Sequence, residues 1–427
     1  MREYDVLIFL SSVWFVGKFV RYTIPPLFEA LQATYAISNA TVGAAFTGFM
    51  AVYALMQFPS GVVADWLGSV SVVVTGATVA GLGMLALAVD ASFEFFVAAM
   101  LIVGAGTGVH KTVAVRLVAR TYPNRTGRTL GIHDTVGAFG GVVAPTAVVV
   151  FLSTPLALTR ALSGIINAEW RGIFLLSGFA ALGLAGAFTH WFRNGSTDGT
   201  GRSVGDQSDD FDPNTEGPVR AGTDSIAAAS VQSYLRIFLN GRFTTFVLVV
   251  IGVSFAYNGV IAFLPLYLTR VTGRSPAVAS LLYSVFFWTT FVQLLSGECS
   301  DRFGRFPVLV VTSGTAAVAL CTFLFLPEAD TITLGVLIAL IGAGANGFNP
   351  VRGAHLMAIL PERLSGGGLG VVRSLLMGTG ALAPAVVGVL IDISDFRVAF
   401  GLLAAASVVS ALGVSALWAT SNGDLGS

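Results

Sequence analysis

Six cations fall inside stretches that are otherwise apolar: Lys18, Arg21, Lys111, Arg116, Arg352 and Arg373. Lys18 and Lys111 are the only two lysines in 427 residues. An ionisable side chain held at mid-bilayer costs about 2.5–3.5 kcal/mol on insertion scales, so each either serves a function or snorkels to an interface. Lys18 lies 13 residues beyond Asp5, which is roughly 20 Å into a helix. Arg21 is one turn further and reaches the interface only if Pro25 and Pro26 end the span. Trp14, Lys18, Arg21 and Pro25 follow a 4, 3, 4 spacing and so share one helix face, as the wall of a polar cavity would. Cations in such a place bind anions: arginine forks onto a carboxylate or phosphate, and lysine acts as a point charge. His133 and Asp134 add a second chemistry. A carboxylate and an imidazole beside a water-filled path can exchange protons, or Asp134 can pair with Arg116 or Arg352 as a gate. Both readings stay open.

The elements that must hold these groups are transmembrane helices. The chain is 55% hydrophobic and 11% charged, with mean hydropathy +0.81, against about 25% charged residues in soluble domains. Apolar runs long enough to cross a hydrocarbon core of about 30 Å recur along it, and they read as helices rather than barrel strands. Twelve are expected, at 5–30, 41–64, 70–89, 94–119, 128–153, 169–192, 241–269, 276–299, 307–327, 331–357, 366–391 and 396–420. The opening MREYDVLIFL has no cleavage site and reads as a retained helix. Cys299 and Cys321 suggest no disulfide framework. Formal net charge is zero, which gives no reason to expect nucleic acid. No phosphate-binding loop, metal-ligand cluster or nucleophile motif is present, so an enzyme and a cofactor are not expected.

Residues 193–240 are rich in Gly, Asp, Ser and Thr and cannot bury a core. They read as an acidic cytoplasmic linker between six-helix bundles at 1–192 and 241–427. Twelve loop arginines fall on the side that carries both termini, against Arg160, Arg171, Arg270, Arg274 and Arg397 on the other. By the positive-inside rule both ends are cytoplasmic.

The two halves repeat. GAGTGVHKTVAVRLVARTYP (104–123) lies over GAGANGFNPVRGAHLMAILP (342–361), and LGIHDTVGAFGGVVAP (130–145) lies over LGVVRSLLMGTGALAP (369–384). EWRGIF opens span 6 and DFRVAF opens span 12. GVVADWLGSV (61–70) joins spans 2 and 3, and GECSDRFGRF (297–306) joins spans 8 and 9. Here the sequence resembles the major facilitator superfamily, whose signature in these loops is G-x-x-x-D-R-x-G-R followed by a basic residue. The second copy has Gly297, Asp301, Arg302, Gly304 and Arg305, with Phe306 last. The first keeps Gly61, Asp65 and Gly68, with Trp66 and Ser69 at the arginine positions.

The resemblance implies an all-α membrane protein of twelve transmembrane helices in two pseudo-symmetric six-helix bundles. It also implies that Asp65, Asp301, Arg302 and Arg305 latch the cytoplasmic ends of the halves and release them as the halves rock; otherwise these charges only fix topology. Spans 1, 4, 7 and 10 are then expected to line the substrate path. That places Lys18, Arg21, Lys111 and Arg352 there, with Tyr257 and Asn258 of span 7 and Asn349, which overlies Lys111 in the repeat. His133, Asp134, Arg116 and Arg373 are candidates for proton coupling or gating, while His355 reads as structural. Gly131, Gly140 and Pro145 partly match the family's antiporter motif, and the block from His110 to Gly141 loosely resembles its fosmidomycin-resistance branch. The expected function is secondary active transport of a small anion across the cytoplasmic membrane, by alternating access and with proton coupling. The expected partners are the anion, protons and the lipid bilayer, with the chain acting as a monomer. The alternatives are a proton-driven drug exporter and a non-transporting sensor.

Overall fold

A computed structural model describes residues 4–153, 169–195, 239–359 and 365–423, apart from the side chains at 58, 124, 194–195, 365–374 and 421–423. Most of the linker expected over 193–240, and the Arg373 side chain, lie outside the described residues. The described residues form fourteen α-helices and no strands. They are α1 (Asp5–Thr23), α2 (Phe28–Tyr35), α3 (Asn39–Leu67), α4 (Ser69–Ala88), α5 (Phe93–Thr121), α6 (Thr126–Ser153), α7 (Arg171–Gly195), α8 (Gly241–Arg270), α9 (Pro276–Trp288), α10 (Val292–Phe303), α11 (Arg305–Phe325), α12 (Thr331–Ile359), α13 (Ser365–Ile393) and α14 (Phe396–Gly423).

Among them are twelve spans long and apolar enough to cross a membrane. Two spans are each built from a pair of helices. α1 and α2 join through the 3₁₀ turn Pro25–Leu27 and form one span, Asp5–Tyr35; α9 and α10 join through Thr289–Phe291 and form Pro276–Phe303. The paired prolines therefore lie within the first span rather than end it, and it runs past the expected residue 30. Proline lacks an N–H and fits at the first positions of a new helical turn, where no hydrogen bond is lost.

The chain divides into two compact units, Met1–Asp210 with Leu264–Phe287, and Phe211–Phe263 with Trp288–Ser427. In the first unit α1 packs on α6, α3 and α4 pack on α5, and α4 packs on α7. In the second, α10 and α11 pack on α12, and α11 packs on α14. Counted as spans, the pairings of 2 with 4, 3 with 4 and 3 with 6 recur as 8 with 10, 9 with 10 and 9 with 12. The sequence repeat is thus a repeat of packing.

The repeated GAG has a steric cause. A Cβ on Gly106 would come within 2.5 Å of the Ala80 nitrogen and 2.6 Å of the Gly76 carbonyl oxygen. On Gly344 it would come within 2.5 Å of the Thr312 carbonyl oxygen and 2.6 Å of the Ala316 nitrogen. Without a hydrophobic drive between helices in lipid, contact depends on close backbone approach, and these glycines permit it. The signature glycines also share one reason. Gly68 (φ 82°, ψ 144°) and Gly304 (φ 87°, ψ 161°) each end one helix and begin the next, in a region of backbone space open essentially to glycine alone.

The first unit is pinned at one end by Arg171, whose side chain is fully buried. Its guanidinium donates to Asp90 Oδ1 at 2.8 Å, to the Tyr35 hydroxyl at 3.0 Å and to the Val89 carbonyl. At the other end of α7 the Trp191 indole donates to Asp5 Oδ2 at 3.1 Å.

Candidate substrate-binding site

Three helices of the first unit bring the singled-out charges together. α1 carries Trp14 and Lys18, α5 carries His110 and Lys111, and α6 carries His133 and Asp134. Glycine makes the meeting possible. A Cβ on Gly137 would collide with the Trp14 indole, and one on Gly140 with the Phe15 carbonyl, so α6 lies directly against α1 at this level. Gly140 belongs to the partial antiporter motif, and its role in the fold is this contact.

Trp14 is the centre of the cluster and is 2% exposed. Its ring stacks with His110 at 5.8 Å and 18°, and with His133 at 6.1 Å and 14°; the two imidazoles are 5.6 Å apart. Both histidines are buried, and among the described residues no ring nitrogen of either meets a protein group in hydrogen-bond geometry; His110 does face the Leu10 carbonyl. Lys18 Nζ stands 5.2 Å from the Trp14 ring centroid and Lys111 Nζ stands 5.1 Å from it. Both ammonium groups are therefore held on one indole by its quadrupole. Lys111 Nζ also meets Asp134 Oδ1 at 3.4 Å. Among the described residues, no carboxylate lies within ion-pair distance of Lys18.

Arg21 does not snorkel. It is buried, its guanidinium carbon is 3.6 Å from the centroid of the Tyr53 ring on α3, and the hydroxyls of Tyr53 and Tyr22 face it. One turn from Trp14 toward the start of α1, a cavity of about 410 Å³ is lined by Tyr4, Ser11, Ser12, Arg125, Arg128 and Thr129, among others. Arg125 donates to the Tyr4 hydroxyl there, at 3.0 Å.

Asp134 does not pair with Arg116, one of the two gate partners open to it in the sequence. Arg116 pairs with Asp65, and Asp134 with Lys111. Five residues apart on a helix, Lys111 and Arg116 point about 140° away from each other, so they cannot serve one carboxylate. The signature residue Asp65 thus has its partner inside its own unit. In the second unit Arg302 pairs with Glu298 one turn earlier, at 2.5 Å. Gly61 and Gly297 lie on α3 and α10, Asp301 sits beside Arg302 on α10, and Arg305 opens α11.

Of the second unit's candidates, Tyr257 and Asn258 lie on α8 and Asn349 and Arg352 on α12, all four half-buried. Asn258 Nδ2 donates to the Ser254 carbonyl of its own helix at 2.8 Å. His355 packs edge-on between Phe246 at 4.5 Å and Phe306 at 4.8 Å. A buried polar residue missed in the sequence is Asn346, which donates to Thr289 Oγ1 at 3.1 Å. His110 was visible but given no role; its position next to Lys111 was the signal.

The arrangement is one of charge and stacking, and no group of three metal-ligating side chains occurs among the described residues. The family profile described as Major Facilitator Superfamily matches residues 10–274 and 246–424. A curated protein of Cupriavidus pinatubonensis, described as "Probable 4-methylmuconolactone transporter", is 23% identical over 386 residues, covering 89% of this chain and 82% of that one. Among solved structures, a bacterial homologue of the human lysosomal transporter Spinster aligns with TM-score 0.72 at 20% identity, over 98% of this chain and 96% of that one. The nucleoside transporter NupG aligns with TM-score 0.72 at 16% identity, over 97% and 99%. With twelve apolar spans, a duplicated packing pattern and a family match along most of its length, the chain belongs to the Major Facilitator Superfamily and is a secondary transporter rather than an enzyme.

Proposed function

We propose that the chain carries a small organic carboxylate, which binds on the Trp14 surface between Lys18 and Lys111. The observation that carries this reading is the charge count: two ammonium groups share one indole, and Asp134 answers only one of them. A carboxylate from the substrate supplies the missing charge. The indole face suits a flat, partly apolar body beside it. The relative described as a 4-methylmuconolactone transporter fits the same class. Arg125 and Arg128, in the cavity that extends from Ser11 to Tyr4 along α1, favour the approach of anions from that side.

In this reading the halves at 1–192 and 241–427 alternate access, joined by the linker at 193–240. Both termini are cytoplasmic, the membrane is the cytoplasmic membrane and the driving ion is the proton. Tyr257, Asn258, Asn349 and Arg352 are the second half's contribution to the path, and Arg373 is a gating residue. The chain acts as a monomer. The exporter alternative has no support of its own, since Gly140 of the antiporter motif is engaged against Phe15.

Reconstituted protein tests this. Under an imposed pH gradient, proteoliposomes are expected to accumulate 4-methylmuconolactone. Lys18→Gln and Lys111→Gln should each lower uptake by at least about tenfold, the loss of one charge-assisted contact, with unchanged melting in detergent. Uptake equal to wild type in both variants overturns the site.

A further inference from the structure

Two of the first unit's ion pairs contrast in build. Arg171 and Asp90 are 2.8 Å apart, and the guanidinium is fully buried with two further acceptors. That pair is locked. Lys111 and Asp134 are 3.4 Å apart, their side chains are 32% and 56% exposed, and among the described residues no other hydrogen bond holds either one. Charge-assisted bonds of full strength run about 2.7–2.9 Å, so this pair is loose and accessible to a third group. Lys111 is fixed instead by the Trp14 ring, as Lys18 is.

We propose that Asp134 is a built-in competitor for the transported anion. The substrate carboxylate displaces it from Lys111 on binding, and Asp134 reclaims Lys111 to release the substrate. The inference rests on the carboxylate reading above and adds a specificity-determining residue to it. A carboxylate that bridges Lys18 and Lys111 meets two ammonium groups, where Asp134 meets one. That difference drives the displacement. The competitor keeps affinity moderate, which a transporter needs, because an anion left between two lysines with no competing carboxylate would leave slowly. Neutral analogues cannot perform the exchange, so the site selects for charge.

The test is steady-state transport of 4-methylmuconolactone in proteoliposomes. Asp134→Asn should lower KM about tenfold, as expected for removing a competitor of one charge-assisted bond, and should lower kcat by a similar factor. Asp134→Glu should restore both toward wild type. In a Lys111→Gln background, Asp134→Asn should leave KM unchanged, because the competitor acts only through Lys111. A rise in KM for Asp134→Asn would overturn the proposal by making Asp134 a positioning residue for Lys111. An equal fall in KM in the Lys111→Gln background would overturn it too, since the effect would then act through space. The two readings fail separately: Lys18→Gln and Lys111→Gln with wild-type KM overturn the carboxylate site and this inference with it, whereas their expected losses with an unresponsive Asp134→Asn overturn only the inference.

Discussion

Trp14 organises the site, although it carries no charge. Its ring is the surface on which two lysines and two histidines of three helices converge. Replacing it by alanine should open a cavity and destabilise the first unit by about 3–5 kcal/mol. Phenylalanine should keep most of the packing and weaken only the cation contacts, since the quadrupole of Phe is the weaker one. Trp14→Phe is therefore expected to melt within a few degrees of wild type while the KM for 4-methylmuconolactone rises several-fold. A large loss of stability with unaltered KM would mean that Trp14 is packing alone. The charges themselves were legible in the sequence, because a lysine among apolar residues is conspicuous. Their pairings were not: which side of α5 faces Asp134 depends on helix rotation, and a shift of a few residues turns a cation to another neighbour.

At the scale of elements, glycine decides how near the helices come. Gly106 and Gly344 occupy matching places in the repeat, and each would drive a Cβ into the backbone of the helix beside it. Gly106→Ala and Gly344→Ala should each destabilise by about 1–3 kcal/mol through overpacking. Gly127, in the first turn of α6, has open space around the same point, and alanine there should be neutral or gain up to about 1 kcal/mol of helix propensity. Thermal unfolding of the three variants in detergent checks this; equal effects at all three positions would exclude the steric explanation. The repeat itself was readable from GAG and the two signature loops. Pro25 and Pro26 offer an end to the first span in the sequence, yet they form a turn inside it, because proline lacks an N–H and fits the first positions of a new helical turn.

For the whole molecule, the arginine distribution gives an orientation that can be measured directly. In a chain with Cys299 and Cys321 replaced by serine, Ser394→Cys between the last two spans should react with an impermeant maleimide added outside intact cells. Trp66→Cys, at the exposed end of α3, should react only after the membrane is opened. The opposite pattern would invert the proposed topology. The two halves are alike in packing but unlike in charge. Arg116 meets Asp65 in the first signature loop, whereas Ala354 stands at the position that Arg116 overlies in the second half, where Arg302 turns to Glu298.

The sequence by itself determined the class: apolar length dictates spans, a doubled motif dictates doubled bundles, and the scarcity of lysine marks where charge was kept despite its cost. Tertiary structure alone decided the partners. Lys111 and Asp134 are 23 residues apart in the chain and on different helices, and only the packing of α6 against α1, through Gly137 and Gly140, brings α6 to the indole that Lys18 and Lys111 share. Hydropathy is a property of one helix at a time, whereas an ion pair depends on the rotation and separation of two.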